Sequence, residues 1–451
     1  MKVNDLPIAD APASTAPNAA REAESPAFLQ AVVELGSKRR VQTSQAIYNA
    51  QGVKLLEGGV TVDKGLYDRL VSHRLALPLD ECVDAGGGLT GAVLREAAVA
   101  AIARWPFFAQ AAPAGAARNL ILDAIADIAL PKPIALHLVL ARETRPAVFD
   151  HGILMALLAG YLVRDAGAGR FGIGMAATAG LLHDLGMLHI DPDLLDSDDR
   201  LSGDRLRPVY VHPLTTSMLV DRFDEYPKEV VRAIVEHHER LDGSGYPRGL
   251  VGSAMSPLGR ALALAEVVTA MFDGERKLAE QRVSLLLRIN PRRYDPKGVA
   301  AIHRLLAAAP VPAEADGIEA GPLIERLLRL ADVLAAWPAA AETLARDGDA
   351  ARRPLLLSMN EQNATLQRML HDAGVTAEQL RAIGEEAGED AALRVELWAL
   401  AEELLWQLHA AAHQLVRRWP SAPPGATHPP ALAGWLAAVA ALDGEKPPTP
   451  A

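Results

Sequence analysis

The sequence predicts a mainly α-helical protein. Half of its 451 residues are apolar but only 4% are aromatic, so the core must rest on Leu, Ala and Val, and a Leu- and Ala-rich mixture favours helices. Apolar residues recur at three- and four-residue spacing almost without a break from Leu89 to Leu306, and again in long stretches beyond residue 317. A chain of this length can form two or three domains with separate cores.

The N-terminal part differs from this helical pattern. Residues 1–27 are rich in Ala, Pro, Ser and acidic residues, which predicts a disordered tail. Residues 28–84 predict a small α+β module, because two strand-like runs in Gln45–Val62 flank a turn signal and Asp63 can cap the helix that follows. The glycine-rich run Asp84–Gly88 predicts a linker.

Two helical regions follow. Residues 89–306 predict one helical domain, and the Pro- and Ala-rich run Ala308–Gly317 predicts a second linker. Residues 318–420 predict a C-terminal bundle of about four amphipathic helices. Residues 421–451 form a Pro- and Ala-rich tail with one short apolar helix. The bundle is compatible with a homodimer interface, a surface for a signalling partner or a structural flank.

Charge and cysteine content exclude several classes of protein. A net charge of −11 argues against a general nucleic-acid or anionic-membrane binder, which needs a basic face. Cys82 is the only cysteine, so no intrachain disulfide can form, as is usual in a reducing cytoplasm. The N-terminus lacks the apolar core of a signal peptide, and uninterrupted apolar runs such as Ile153–Val163 are too short to span a bilayer. We therefore expect a cytoplasmic protein with no nucleic-acid partner and no membrane span.

Histidines and acidic residues cluster in the helical domain. A lone histidine on an apolar helix is usually a hydrogen-bonded core residue, but imidazole nitrogens and carboxylate oxygens also bind Zn, Mn and Fe. A bundle can bring helix ends to one point. The two oxygens of Asp184 could bridge two cations, and Glu266, in an apolar stretch, offers a second carboxylate unless it faces solvent. Six of the 13 histidines lie between residues 151 and 238: His151, His183, His189, His212, His237 and His238.

The stretch His237–Leu250, HHERLDGSGYPRGL, places two histidines before a glycine-rich loop. Alone it would predict a helix end and a turn. Together with the other histidines, the His183–Asp184 pair and the acid at 266, it resembles the HD superfamily of metal-dependent phosphohydrolases. It matches the HHExxDGxGYP signature of the HD-GYP branch at every fixed position. The resemblance covers roughly Gly115–Leu306, about two-fifths of the chain.

The resemblance implies an HD-type helical bundle that acts in bacterial signalling. Such domains hydrolyse cyclic di-GMP to pGpG, and often to GMP, at a bi- or trinuclear metal centre. The implied centre here holds two divalent ions, Fe or Mn first with Zn, Mg or Ni as alternatives, because the place of a third-metal glutamate is Ala147. Bound ions would neutralise the phosphodiester and acidify a water for attack. The implied ligands are His151, His183, Asp184 as the bridge, His212, His237, His238 and Glu266.

The sequence departs from the family pattern at the substrate side. The first signature, normally HDxGK, reads HDLGM, so Met187 replaces a lysine that reaches the substrate phosphate and a thioether cannot supply that charge. Glu266 replaces the usual aspartate. Glu239 and Asp242 are expected to orient ligands and loop. The candidate substrate-binding residues, whose alternative is a solvated surface position, are Tyr246, Arg248, Arg260, Arg276 and Lys277.

Three functions follow as hypotheses. The first is a cyclic di-GMP phosphodiesterase, indicated by the ligand set and the loop. The second is a sensor or docking module that is catalytically weak or inactive and binds the nucleotide or a partner through the GYP loop or the C-terminal helices, indicated by Met187. The third is a metallohydrolase for another phosphorylated substrate.

Overall fold

The computed structural model describes residues 25–86, 89–195, 207–243, 245–272, 279–289, 292–307, 318–346, 352–372, 391–419 and 429–442. Helices dominate these residues and strands are few and short, which confirms the predicted mainly α fold. The elements up to the GYP loop (residues 241–250) are α1 (Pro26–Lys38), β1 (Gln42–Thr43), β2 (Ile47–Tyr48), β3 (Lys54–Leu56), α2 (Lys64–Val71), α3 (Leu79–Cys82), β4 (Val83–Asp84), α4 (Gly91–Arg104), α5 (Pro106–Ala111), α6 (Ala116–Ala126), α7 (Lys132–Thr144), α8 (Pro146–Asp165), α9 (Arg170–Leu182), α10 (Pro192–Leu195), α11 (Arg207–Val220) and α12 (Lys228–Glu236). The later helices are α13 (Pro257–Thr269), α14 (Ala279–Ile289), α15 (Pro296–Leu306), α16 (Ala320–Arg346), α17 (Arg353–Asp372), α18 (Ala391–Arg418) and α19 (Pro430–Ala441).

The N-terminal module contains the predicted hairpin. Strands β2 and β3 pair antiparallel, with Ile47 opposite Leu56, and β1 pairs with β4. The side chain of Asp63 accepts a hydrogen bond from the Gly65 amide at 2.9 Å and so caps α2, as the sequence predicts. Helix α1 precedes the hairpin and begins two residues before the predicted module boundary, where Ser25 caps it.

Helices α8 and α9 pack at unusually close range in the centre of the larger unit. A Cβ atom at Gly180 would lie 2.7 Å from backbone atoms of Met155 and Ala156, and one at Gly152 would lie 2.9 Å from the Leu181 carbonyl oxygen. Only glycine allows the two backbones to approach this closely. The contact brings the first residues after α9 beside the N-terminal half of α8.

The same two helices satisfy the length and composition expected of membrane spans. The first segment is Pro146–Asp165, and 72% of its most apolar window is buried inside the protein. The second is Arg170–His189, which includes α9 and the turn after it, and 61% of its window is buried. The run Ile153–Val163, which the sequence analysis judged too short to span a bilayer, lies within the first segment. Burial of this extent is typical of core helices.

The described residues form two compact units. The larger lies within 16–276 and 290–309, and so contains the N-terminal module together with the helices up to α13 and α15. The smaller lies within 277–289 and 310–451. Helix α14, which the sequence places in the 89–306 domain, belongs to the smaller unit, where Arg282 pairs with Glu403 of α18 at 2.9 Å. The five predicted domain ranges stay a proposal.

The smaller unit has its own apolar core, formed by the buried faces of α16 to α19. Pro338 lies inside α16 and has no backbone N–H to give the Leu334 carbonyl, four residues earlier. The amides of Asn363 and Gln367 on α17 donate to that carbonyl at 3.1 and 3.0 Å. The proline is therefore accommodated by side chains of the neighbouring helix.

Replacing Gly180 by alanine is expected to lower the free energy of unfolding by about 1–3 kcal/mol, because the methyl group overpacks the α8–α9 contact. Gly174→Ala on the same helix is the matched control, since no atom lies within 4 Å of its added Cβ, and it should be neutral or stabilising by up to about 1 kcal/mol. Urea unfolding measures both. Equal effects of the two variants would contradict the close approach.

Candidate metal centre

Seven side chains from five helices meet in the larger unit. Helix α8 carries the first, two follow the end of α9, α11 carries one, two follow the end of α12, and α13 carries the last. Their potential ligand atoms fall into two groups in which every atom lies within 4.8 Å of the others. The groups are His151, His183 and Glu266, and Asp184, His212, His237 and His238.

The first group centres on a carboxylate oxygen of Glu266. Its Oε2 atom lies 3.0 Å from Nε2 of His151 and 3.3 Å from Nε2 of His183. His183 is fully buried and His151 is nearly so. Two imidazole nitrogens and a carboxylate oxygen thus face one point.

Asp184 lies between the two groups. Its Oδ2 atom is 3.4 Å from Nε2 of His183, whereas its Oδ1 atom is 3.0 Å from Nε2 of His212 and 3.6 Å from Nε2 of His237. Each oxygen is directed at a different group. This is the arrangement that a carboxylate needs to bridge two cations.

Hydrogen bonds to the backbone fix how these imidazoles face the cluster. In His183, His212 and His237 the Nδ1 atom lies 2.7, 2.5 and 2.6 Å from the carbonyl oxygen three residues earlier. A carbonyl only accepts, so Nδ1 carries a proton in each ring and Nε2 faces the cluster. Such second hydrogen bonds are usual for histidines that bind metals.

The inward atoms need a cation. Nε2 of His212 and Nε2 of His237 lie 3.2 Å apart, and two lone pairs at that distance repel each other. Nε2 of His183 and Oδ1 of Asp184 are buried without a hydrogen-bond partner. A buried polar atom without a partner is costly, and metal coordination would satisfy all four atoms. The residues present therefore fit two divalent ions of the Fe, Mn or Zn type.

In the metal-free cluster, burial and the pairing of imidazoles with carboxylates shift the pKa values of the ligand residues. Burial alone lowers the pKa of His183, but Asp184 and Glu266 raise it to about 9. Burial raises the pKa of the two carboxyl groups, but the neighbouring imidazoles hold both pKa values well below the usual range. Burial lowers the pKa of His237 well below its usual value and that of His238 to about 4. A bound cation must therefore displace the His183 proton.

A threonine links the turn after α9 to α11. Thr216 Oγ1 accepts from the Gly186 amide at 2.8 Å and donates to the His212 carbonyl at 3.0 Å. It therefore fixes the His183–Asp184 turn relative to His212. The sequence analysis missed this residue, although its place one helical turn after a candidate ligand was the available signal.

Arg145 supports the same turn from the other side. Its guanidinium donates to the carbonyls of Met187 and Ile190 at 2.6 and 2.7 Å. Met187 itself is half-buried. Arg145 is therefore a cation close to position 187, where the family has a lysine, but it binds backbone carbonyls. Nothing in the residue pattern indicated this contact.

The GYP loop is held by the residue predicted to orient it. Glu239 is fully buried, and its two carboxylate oxygens accept from the amides of Arg248 and Leu250 at 2.7 and 2.9 Å. Asp242 lies 3.4 Å from the guanidinium of Arg293. The ring of Tyr246 stacks on that of His238, with centroids 4.6 Å apart. The loop therefore lies against the second ligand group.

The predicted substrate contacts are less well assembled. Arg248 is exposed on the loop, beside Tyr246. Arg260 lies 3.8 Å from Asp295 in an ion pair, six positions before Glu266 and so on another face of α13. Arg276 and Lys277 lie outside the described residues. Roles for these side chains in binding substrate stay predictions.

Comparison with known proteins supports the family. Residues 139–298 match the family model described as HD domain, which spans all seven clustered side chains. The loop after α12 carries the HD-GYP signature residues. The family model and this signature together support assignment of residues 139–298 to the HD-GYP family.

Three curated relatives are similar to parts of the HD-GYP domain. The 3'3'-cGAMP-specific phosphodiesterase 3 of Vibrio cholerae is 30% identical over 136 residues, 29% of each chain. The cyclic di-GMP phosphodiesterase response regulator RpfG of Xanthomonas campestris is 28% identical over 33% of this chain and 41% of its own. A cyclic di-GMP phosphodiesterase of Pseudomonas aeruginosa is 27% identical over 39% and 42%. The matched segments span less than half the length of these relatives.

Removing one imidazole from the second group should remove one ion. We expect His212→Gln to lower the Mn content of the purified protein from two ions towards one per chain. His137→Gln is the matched control, because His137 is equally buried but lies outside both ligand groups, and it should keep two. Metal analysis by mass spectrometry measures both variants. Loss of metal from the control, or none from His212→Gln, would contradict the grouping.

Proposed function

We propose that this chain is a metal-dependent phosphodiesterase that opens cyclic di-GMP to pGpG, or onward to GMP, in bacterial second-messenger signalling. The observation that carries the proposal is the placement of Asp184, with one carboxylate oxygen directed at each ligand group. The names of the relatives supply the substrate class, a cyclic dinucleotide.

The proposed centre would be held by His151, His183 and Glu266 on one side and by His212, His237 and His238 on the other, with Asp184 shared. When bound, two divalent ions neutralise the non-bridging oxygens of a phosphodiester and supply an acidified water. The protein then has no need of a nucleophilic side chain. Its residues fix the imidazole orientations through backbone carbonyls and hold the loop residue Tyr246 against His238.

Met187 is the observation that favours the second candidate, a nucleotide-binding module with weak or no catalysis. A lost charge-assisted phosphate contact typically costs about 1.5–3 kcal/mol. That cost would slow turnover by tens-fold without abolishing it. Arg248, Arg260, Arg276 and Lys277 are the candidates to compensate.

Mn-loaded protein is expected to convert cyclic di-GMP to a linear product, and Asp184→Asn should reduce the rate by about 100-fold or more, because the shared carboxylate charge is lost. Asp221→Asn, an exposed carboxylate in an ion pair with Lys228, is the control and should keep the rate. Chromatography of the nucleotide products measures turnover.

The outcomes separate the three hypotheses. Binding of the dinucleotide by calorimetry without product would favour the non-catalytic module. Equal hydrolysis of cyclic di-GMP and bis-p-nitrophenyl phosphate would favour a metallohydrolase of another substrate. Protein that binds two ions yet neither binds nor cleaves the dinucleotide would contradict the proposal.

Restoring the family lysine should increase activity. Met187→Lys is expected to raise kcat by about tenfold or more, since it returns one charge-assisted contact to the phosphate. Met187→Gln, similar in length and polar but uncharged, should leave kcat near the wild-type value. Steady-state rates with cyclic di-GMP measure both. An equal change in the two variants would show that the missing charge is not what limits turnover.

A further inference from the structure

Glu236, the last residue of α12, is a buried carboxylate that belongs to neither ligand group. It is 0% exposed. Its Oε2 atom accepts from the Ser256 amide at 2.8 Å and from Ser256 Oγ at 2.6 Å, and its Oε1 atom accepts from Arg232 Nε at 2.7 Å. A buried carboxylate is costly unless its lone pairs are satisfied. Here both oxygens have partners.

These hydrogen bonds join the end of one helix to the start of another. Ser256 is the N-cap of α13, where its hydroxyl accepts from the Gly259 amide at 2.9 Å. Arg232 of α12 also donates to the Ala254 carbonyl at 2.7 Å, in the segment just before that cap. Glu236 and Arg232 therefore fix the C-terminus of α12 against the N-terminus of α13.

The two helices supply ligands to different groups. Helix α12 runs directly into His237 and His238, which belong to the group with His212, whereas α13 carries Glu266, which belongs to the group with His151. A connection between the two helix ends constrains the distance between the two groups. The spacing of two bound cations depends on that distance.

The sequence makes room for this carboxylate. A Cβ atom at Gly259, in the first turn of α13, would collide with Oε2 of Glu236. The first turn of the helix is therefore shaped around the carboxylate as well as capped by Ser256. A cap alone would need only the Ser256 hydroxyl.

We infer that Glu236 is a positioning residue that sets the spacing of the two cation sites by fixing α12 to α13. The inference rests on the proposed metal centre. Residues that orient metal ligands typically change metal affinity by about 10- to 100-fold when removed. The expected effect is weaker binding of one ion and loss of magnetic coupling between the two.

The test compares three variants with two controls in the full-length protein. Glu236→Ala removes every contact, Glu236→Gln keeps an acceptor for Ser256 but turns an amide towards Arg232, and Gly259→Ala displaces the carboxylate without removing it. Glu229→Ala, an exposed residue of α12, and Gly174→Ala, with open space around its added Cβ, are the controls. Calorimetric titration with Mn and the electron paramagnetic resonance spectrum of the loaded protein are the readouts.

Wild type and both controls should bind two ions and show the spectrum of an exchange-coupled pair. Glu236→Ala and Gly259→Ala should bind one ion about 10- to 100-fold more weakly and show isolated Mn spectra at equal loading. Glu236→Gln should lie between them. General destabilisation would lower the melting temperature without uncoupling two ions that remain bound.

The results distinguish two failures. Wild-type protein that binds fewer than two ions would overturn the proposed centre. Wild type with a coupled pair, together with variants that keep the same coupling and affinities, would overturn the role of Glu236. If Glu236→Ala does not fold, Glu236→Gln and Gly259→Ala decide by the same two readouts.

Discussion

The structure depends on one electrostatic constraint: five imidazoles and two carboxylates face one another in the protein interior. In His183, His212 and His237 the ring proton is held on the outer side by a backbone carbonyl. The inner nitrogens cannot satisfy one another, as the 3.2 Å separation between His212 and His237 illustrates. Positive charge within the cluster resolves this conflict, whether it comes from protons or from metal ions.

The surrounding fold holds helix ends at that point. Glycines let α8 and α9 approach at backbone contact, Thr216 fixes the turn after α9 to α11, and Glu236 joins α12 to α13. Each of these contacts fixes one segment that carries a candidate ligand relative to another such segment. Glu239 holds the GYP loop in the same way, so the loop and the cluster form one framework.

The candidate metal ligands could be identified from the sequence, whereas the residues that position them could not. The helical fold and the clustered histidines were visible because ligand types recur at helix ends and a long signature matches. Thr216, Arg145 and Glu236 act through the backbone of distant segments, and a single sequence does not show which segments meet. For the same reason, the pairing of Arg260 with Asp295 and the packing of α14 on α18 could not be anticipated.

The central claim is that seven side chains hold two cations with Asp184 between them. Anomalous diffraction at the Mn edge from crystals of Mn-loaded protein tests it most directly. The account predicts two peaks about 3.5–4 Å apart, one beside His151, His183 and Glu266 and the other beside the remaining three histidines, with Asp184 bridging. A single peak, or two peaks that Asp184 does not join, would contradict it.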